Sequence, residues 1–73
     1  MTKKLTNREK QVLEYILKGC TNKEISEKLC ISYDTAKAHV SAILYKMHVE
    51  DRLGIFIKLF NKDIQKFIEE LAK

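Results

Sequence analysis

The chain has 73 residues and a mass of 8.6 kDa, which leaves room for one small domain and excludes a large enzyme with a second domain. Its 45% hydrophobic and 33% charged residues support a small core under a polar surface and argue against a wholly disordered chain. Fourteen Lys and Arg against ten Asp and Glu give a net charge of +4, a mild lean toward polyanions such as nucleic acid.

With no Pro and only two Gly, helix is the default along the chain. Thr6 and Glu9 have the spacing of a capping box, in which the Thr hydroxyl accepts from the Glu amide and the Glu carboxylate accepts from the Thr amide. A first helix is predicted from Asn7 to about Lys18, with Val12, Leu13, Ile16 and Leu17 on its apolar face and Gly19 free to turn left-handed behind it. Thr21 and Glu24 repeat the box, so a second helix runs from Asn22 to Leu29 with Ile25 and Leu29 on one face. After the short connection at Cys30 and Ile31, Ser32 is the next N-cap and a third helix starts at Tyr33. Its inward stripe is Ala36, Val40, Ile43, Leu44 and Met47, which turns Asp34, Lys37, Ala38, Ser41 and Tyr45 outward.

Asp51 caps a fourth helix, along which Leu53, Ile57, Phe60, Ile64, Phe67, Ile68 and Leu71 continue one face to the end. Ile55 and Leu59 lie on the opposite side with Phe56 between, so the first two turns are apolar nearly all round. Two readings fit: a helix wedged between core layers, or a second chain covering one face. Asn61 is a point where the element can break in two. No apolar run approaches the roughly 18 residues of a membrane span, and the chain reads as cytoplasmic.

Cys20 and Cys30 are too few for a disulfide-built miniprotein and read as small buried apolar residues. Together with His39 and His48 they are spaced by ten, nine and nine residues, without the close ligand pairs of a structural zinc site. No orienting group or oxyanion donor accompanies a Cys–His pair, so neither catalysis nor a cofactor is expected. His39 reads as a partly exposed helix residue, and Glu9 as an anchor for Arg52 or another base across helices.

Two short capped helices joined by a tight turn, the second with an outward polar face, form a helix-turn-helix. Small side chains on that face let the backbone approach base edges in the major groove. Lys37 suits guanine O6 or N7, Ala38 a thymine methyl, and Ser41 a base or a phosphate. Amide groups at the starts of the second and third helices, with the hydroxyls of Thr21, Ser32 and Thr35, suit phosphates, because helix N-termini carry partial positive charge. Lys23, Lys46 and Arg52 add sequence-independent attraction.

Leu5-Thr6-Asn7-Arg8-Glu9, Val12-Leu13, Gly19, Thr21-Asn22-Lys23-Glu24-Ile25, Leu29, Ile31-Ser32, Thr35-Ala36-Lys37-Ala38-His39-Val40, Ile43, Lys46-Met47 and Arg52 together resemble the LuxR-type (GerE/NarL/FixJ) DNA-binding domain. Their order and spacing, from about Lys4 to Leu59, carry the likeness more than any single tetrapeptide. The resemblance implies an all-α, four-helix LuxR-type domain over residues 1–60, followed here by an amphipathic helical extension over 61–73. It implies sequence-specific binding of double-stranded promoter DNA in transcription regulation, with the third helix in the major groove, a homodimer on a two-fold site, and RNA polymerase as a further partner. By the same resemblance base contacts fall to Lys37, Ala38 and Ser41, with phosphate contacts near Asn22, Lys23, Thr35 and Lys46. Tyr45 completes the DNA-facing set, and Leu53, Ile55, Phe56, Leu59 and Phe60 form the dimer set.

Three positions depart from the family pattern. Ala36 replaces a common Val, Ser41 stands where some relatives carry Lys, and Leu53-Gly54-Ile55 replaces a more polar stretch ending in Ala, at a helix cost of about 1 kcal/mol for the Gly. Met1 lies close before the first matching Leu, which fits a stand-alone regulator of the GerE kind or an excised effector domain. Residues 61–73 are neutral, with Lys62, Lys66 and Lys73 against Asp63, Glu69 and Glu70, so the surplus charge lies in 1–60. The competing function is a protein-interaction adaptor that grips a partner through the apolar fourth helix.

Overall fold

The computed structural model describes residues 4–71 and, within them, all side chains except those of 63–65 and 67. Ile64 and Phe67 of the predicted α4 stripe therefore lie outside the described residues. Four helices and no strand occur among the described residues: α1 (Asn7–Leu17), α2 (Asn22–Leu29), α3 (Tyr33–Lys46) and α4 (Arg52–Leu71). Both predicted capping boxes are present. Thr6 Oγ1 accepts from the Glu9 amide at 3.1 Å while Glu9 Oε1 accepts from the Thr6 amide at 2.8 Å, and Thr21 and Glu24 repeat the same two distances. Ser32 caps α3 by accepting from the Thr35 amide, and Asp51 Oδ1 accepts from the Gly54 amide at the start of α4. α4 is continuous through Asn61.

The first three helices end in the same way, with one left-handed residue and a closing bond from the next amide to a carbonyl five residues back. Gly19 (φ 86°), Cys30 (φ 55°) and His48 (φ 59°) hold the left-handed positions. The closing bonds are Cys20 to Tyr15, Ile31 to Ser26 and Val49 to Leu44. At the end of α3 a second device helps: Lys58 Nζ donates to the Met47 carbonyl at 2.6 Å, bringing a cation to the negative end of the helix.

The core is made of Val12 and Ile16 from α1, Ile25 from α2, Ala36, Val40 and Ile43 from α3, and Ile55 from α4. Leu5, Leu13, Leu29, Ile31, Leu44, Met47, Val49 and Leu59 pack around it, partly buried. α2 and α1 both lie against α3, which leaves only the outer face of α3 uncovered. Two apolar expectations are corrected. Leu17 is exposed, because Ile16 beside it takes the core-facing position of the last turn and Leu17 lies a further 100° round the helix. Cys30 is exposed rather than buried: it takes the left-handed position at the end of α2, with its Sγ 3.9 Å from the Glu27 carbonyl.

Candidate nucleic-acid interface

Residues 30–32 separate α2 from α3, a turn of helix-turn-helix length closed by the left-handed Cys30. From that turn α3 proceeds with Ala36, Val40 and Ile43 buried beneath it and Lys37, Ala38, Ser41 and Tyr45 exposed above it. Lys37, Ser41 and Tyr45 are four residues apart and share one ridge, with Ala38 beside them. A small residue and a hydroxyl flanked by an amine make a surface that a groove edge can approach closely.

The starts of α2 and α3 carry the remaining polar groups. Thr21 and Lys23 are exposed in the first turn of α2. Ser32 and Thr35 are exposed at the start of α3, where the Ser32 hydroxyl donates to Thr35 Oγ1 at 2.8 Å. Of this pair, Thr35 keeps the hydroxyl proton that an incoming anion would use.

Three expected contributors are occupied within the fold. Lys46, read in the sequence as a phosphate contact, donates to Glu9 Oε1 at 2.6 Å and ties the end of α3 to the start of α1. That bond answers the expectation that Glu9 anchors a base across helices, with Lys46 as the base. The Lys46 ammonium first, and the Thr6 amide second, hold the Glu9 carboxyl below its ordinary value of 4.5. Arg52, read as a general attractor of phosphates, gives Nη1 to Asn22 Oδ1 and Nη2 to the Cys20 carbonyl, each at 2.9 Å. Asn22 is therefore half-buried under Arg52, and its oxygen is an acceptor for the guanidinium. The sequence carried no signal for this clamp, because nothing in local spacing relates residue 52 to residues 20 and 22.

The dimer set divides along α4. Leu53, Phe56 and Phe60 are exposed, Leu59 is partly buried against the core, and Ile55 is fully buried. Ile55 is withdrawn from that set: it lies on the side of α4 that closes the domain, so its side chain is a core residue of its own chain. No helix of the described residues is long and apolar enough to cross a membrane. Among the same residues no three His, Cys, Asp or Glu side chains converge where a metal ion would sit.

A helix packed from below by two others, capped at its start and bare along a polar ridge, defines the helix-turn-helix class of DNA-binding domains. Residues 3–59 match the family described as bacterial regulatory proteins, luxR family, and the chain belongs to that family of DNA-binding transcription regulators, which is not a class of enzymes. Among its relatives, the transcriptional regulatory protein LiaR of Bacillus subtilis (strain 168) is 50% identical over 48 residues, which are 66% of this chain and 23% of LiaR. The uncharacterized transcriptional regulatory protein YhcZ of the same strain is 54% identical over 48 residues, 66% of this chain and 22% of YhcZ. The response regulator protein VraR of Staphylococcus aureus (strain Mu3 / ATCC 700698) is 42% identical over 60 residues, 82% of this chain and 29% of VraR. The chain thus spans less than a third of the length of the relatives it matches.

Proposed function

We propose that the chain binds double-stranded promoter DNA sequence-specifically and regulates transcription, with α3 in the major groove and two copies on a two-fold site. The observation that supports this reading is the division of α3 into a fully buried stripe and an exposed ridge of Lys37, Ala38, Ser41 and Tyr45. Lys37 and Ser41 read base edges, Ala38 meets a thymine methyl, and Tyr45 lies toward the flank of the groove. Thr21, Lys23, Ser32 and Thr35 hold the flanking phosphates together with the amide ends of α2 and α3. Asn22 and Lys46 act one step removed, Asn22 by fixing the start of α2 through Arg52 and Lys46 by fixing the end of α3 through Glu9. The names LiaR and VraR carry, as a transcriptional regulatory protein and a response regulator, support the same role for this chain.

A duplex selected from a random pool, titrated with the chain and with Lys37→Ala, tests the assignment. Loss of a direct base contact weakens binding by about 1–3 kcal/mol and relaxes preference at one base pair per half-site. Unchanged affinity and unchanged preference would remove α3 from the groove.

A further inference from the structure

α3 carries a single acid, Asp34, exposed in its first turn. At about 100° per residue, Asp34 falls within about 60° of each of Lys37, Ala38, Ser41 and Tyr45, on the side of the helix opposite Ala36, Val40 and Ile43. It therefore heads the base-facing ridge of the proposed function, about 6 Å along the axis before Ala38. The first-turn acids of the other two short helices are engaged, since Glu9 and Glu24 close capping boxes, and Asp51 caps α4. α3 is already capped by Ser32, and the Asp34 carboxylate has no hydrogen-bond or ion-pair partner among the described residues. A free carboxylate at the leading end of a helix that enters DNA is repelled by phosphate, so affinity survives only where a donor meets it.

We infer that Asp34 is a further specificity-determining residue, whose carboxylate accepts from the N4 amine of a cytosine within one base-pair step of the pair that Lys37 reads. The inference rests on the proposed placement of α3 in the major groove and adds a charged acceptor to its ridge. That groove offers two base donors, adenine N6 and cytosine N4. Adenine N6 lies between two acceptors, its own N7 and the O4 of the paired thymine, and both oppose a group that can only accept. Cytosine N4 has an acceptor, guanine O6, on one side alone, and its other neighbour is the C5–H edge. A carboxylate arriving from that edge meets the donor without a competing lone pair. Lys37, three residues on, is about 4.5 Å further along the helix, close to the roughly 3.4 Å between base pairs, and its ammonium suits guanine O6 or N7. Acid and base together thus match a G·C pair or step. At any other base the carboxylate is desolvated with nothing in return, which makes Asp34 a filter against wrong sites as much as a contact with the right one.

Duplexes selected from a random pool by the whole chain, by Asp34→Ala and by Asp34→Asn test it. The wild-type selection should contain a cytosine next to, or paired within, the base pair that Lys37→Ala relaxes. Asp34→Ala should lose that cytosine preference and keep the others, and Asp34→Asn should move it to adenine, whose N6 and N7 an amide matches. On the selected duplex, 2-pyrimidinone in place of that cytosine removes the N4 amine while the base still pairs with guanine. The wild type should then bind at least about five-fold more weakly, and Asp34→Ala should bind both duplexes alike. Unchanged helical circular dichroism shows that both variants keep the domain folded. A carboxylate that serves only the positive end of α3 predicts lower stability in urea and the same selected sequence in all three proteins, and that result overturns the inference. So does a wild type indifferent to the missing amine, or an adenine at the position that Asp34→Ala relaxes. If Lys37→Ala weakens binding while the Asp34 variants change no preference, α3 stays in the groove and the role of Asp34 alone falls. If Lys37→Ala changes nothing either, the placement of α3 falls with it.

Discussion

Gly54 lies in the first turn of α4, where a helical glycine is about 1 kcal/mol worse than alanine. An added Cβ would come 2.9 Å from Val49 Cβ and 3.3 Å from Val49 Cγ1. Val49 sits in the turn that closes α3, with its amide bonded to Leu44, and its β-branched side chain has little freedom to withdraw. Overpacking of this kind costs about 1–3 kcal/mol, so Gly54→Ala destabilises the chain by about 1 kcal/mol despite the gain in helix propensity. Urea unfolding measures it. A more stable variant would mean that Val49 yields. The glycine at this place in the departing Leu53-Gly54-Ile55 stretch is thereby a close-approach requirement, specific to the contact between α4 and the α3–α4 turn. The other two special backbone positions run against composition: Cys30 and His48 take the left-handed place that Gly19 takes after α1. An L side chain there meets its own following carbonyl, a strain His tolerates better than most residues.

At the scale of elements, the capping residues and the apolar periodicity made α1, α2 and α3 legible to within a residue, because both are local properties of the chain. The ridge on α3 followed from the same periodicity. The exposed side of α4 did not: both of its faces are apolar in the first two turns, and only packing decides that Ile55 turns inward and Leu53 outward. Contacts between distant residues were equally invisible, and the Glu9–Lys46 pair shows what they do. Its partners are mostly buried, 7% and 19% exposed at the side chains, and they join α1 to the end of α3. Glu9→Gln keeps an acceptor for the Thr6 amide, since Gln also serves in a capping box, and removes only the charge. The loss is about 1.5–3 kcal/mol, the worth of a hydrogen bond between charged groups. Because the folded carboxyl titrates below its ordinary 4.5, the contribution is present above that value and fades as pH falls through the lowered folded value. Unfolding measured over a falling pH series should show a gap between wild type and variant that is constant well above the ordinary value of 4.5 and narrows as pH falls below it. A gap independent of pH would show that packing, and not the ion pair, was lost.

For the whole molecule, charge and shape divide along one axis. The chain measures 48 × 26 × 21 Å, and its long dimension exceeds what three short packed helices require, because α4 runs beyond them. The +4 surplus belongs to residues 1–60, whereas 61–73 are neutral, so the attraction to phosphate resides in the helix-turn-helix part of the chain. With Lys46 and Arg52 occupied inside the fold, fewer cations remain for phosphate than the composition implies, and Lys23 is an exposed one in the first turn of α2, beside the amide end of the helix-turn-helix. Each phosphate neutralised on duplex DNA contributes roughly 0.9 to the slope of log affinity against log salt. A dimer on a two-fold site uses Lys23 twice, so Lys23→Ala should lower the magnitude of that slope by about 1.8, and base preference should stay as it was. Repeating the titration on a duplex carrying one half-site should reduce the drop to about 0.9, because a single copy then engages. A drop of about 0.9 in both cases would mean that only one copy of the dimer reaches the duplex, and no drop in either would place Lys23 away from the phosphates.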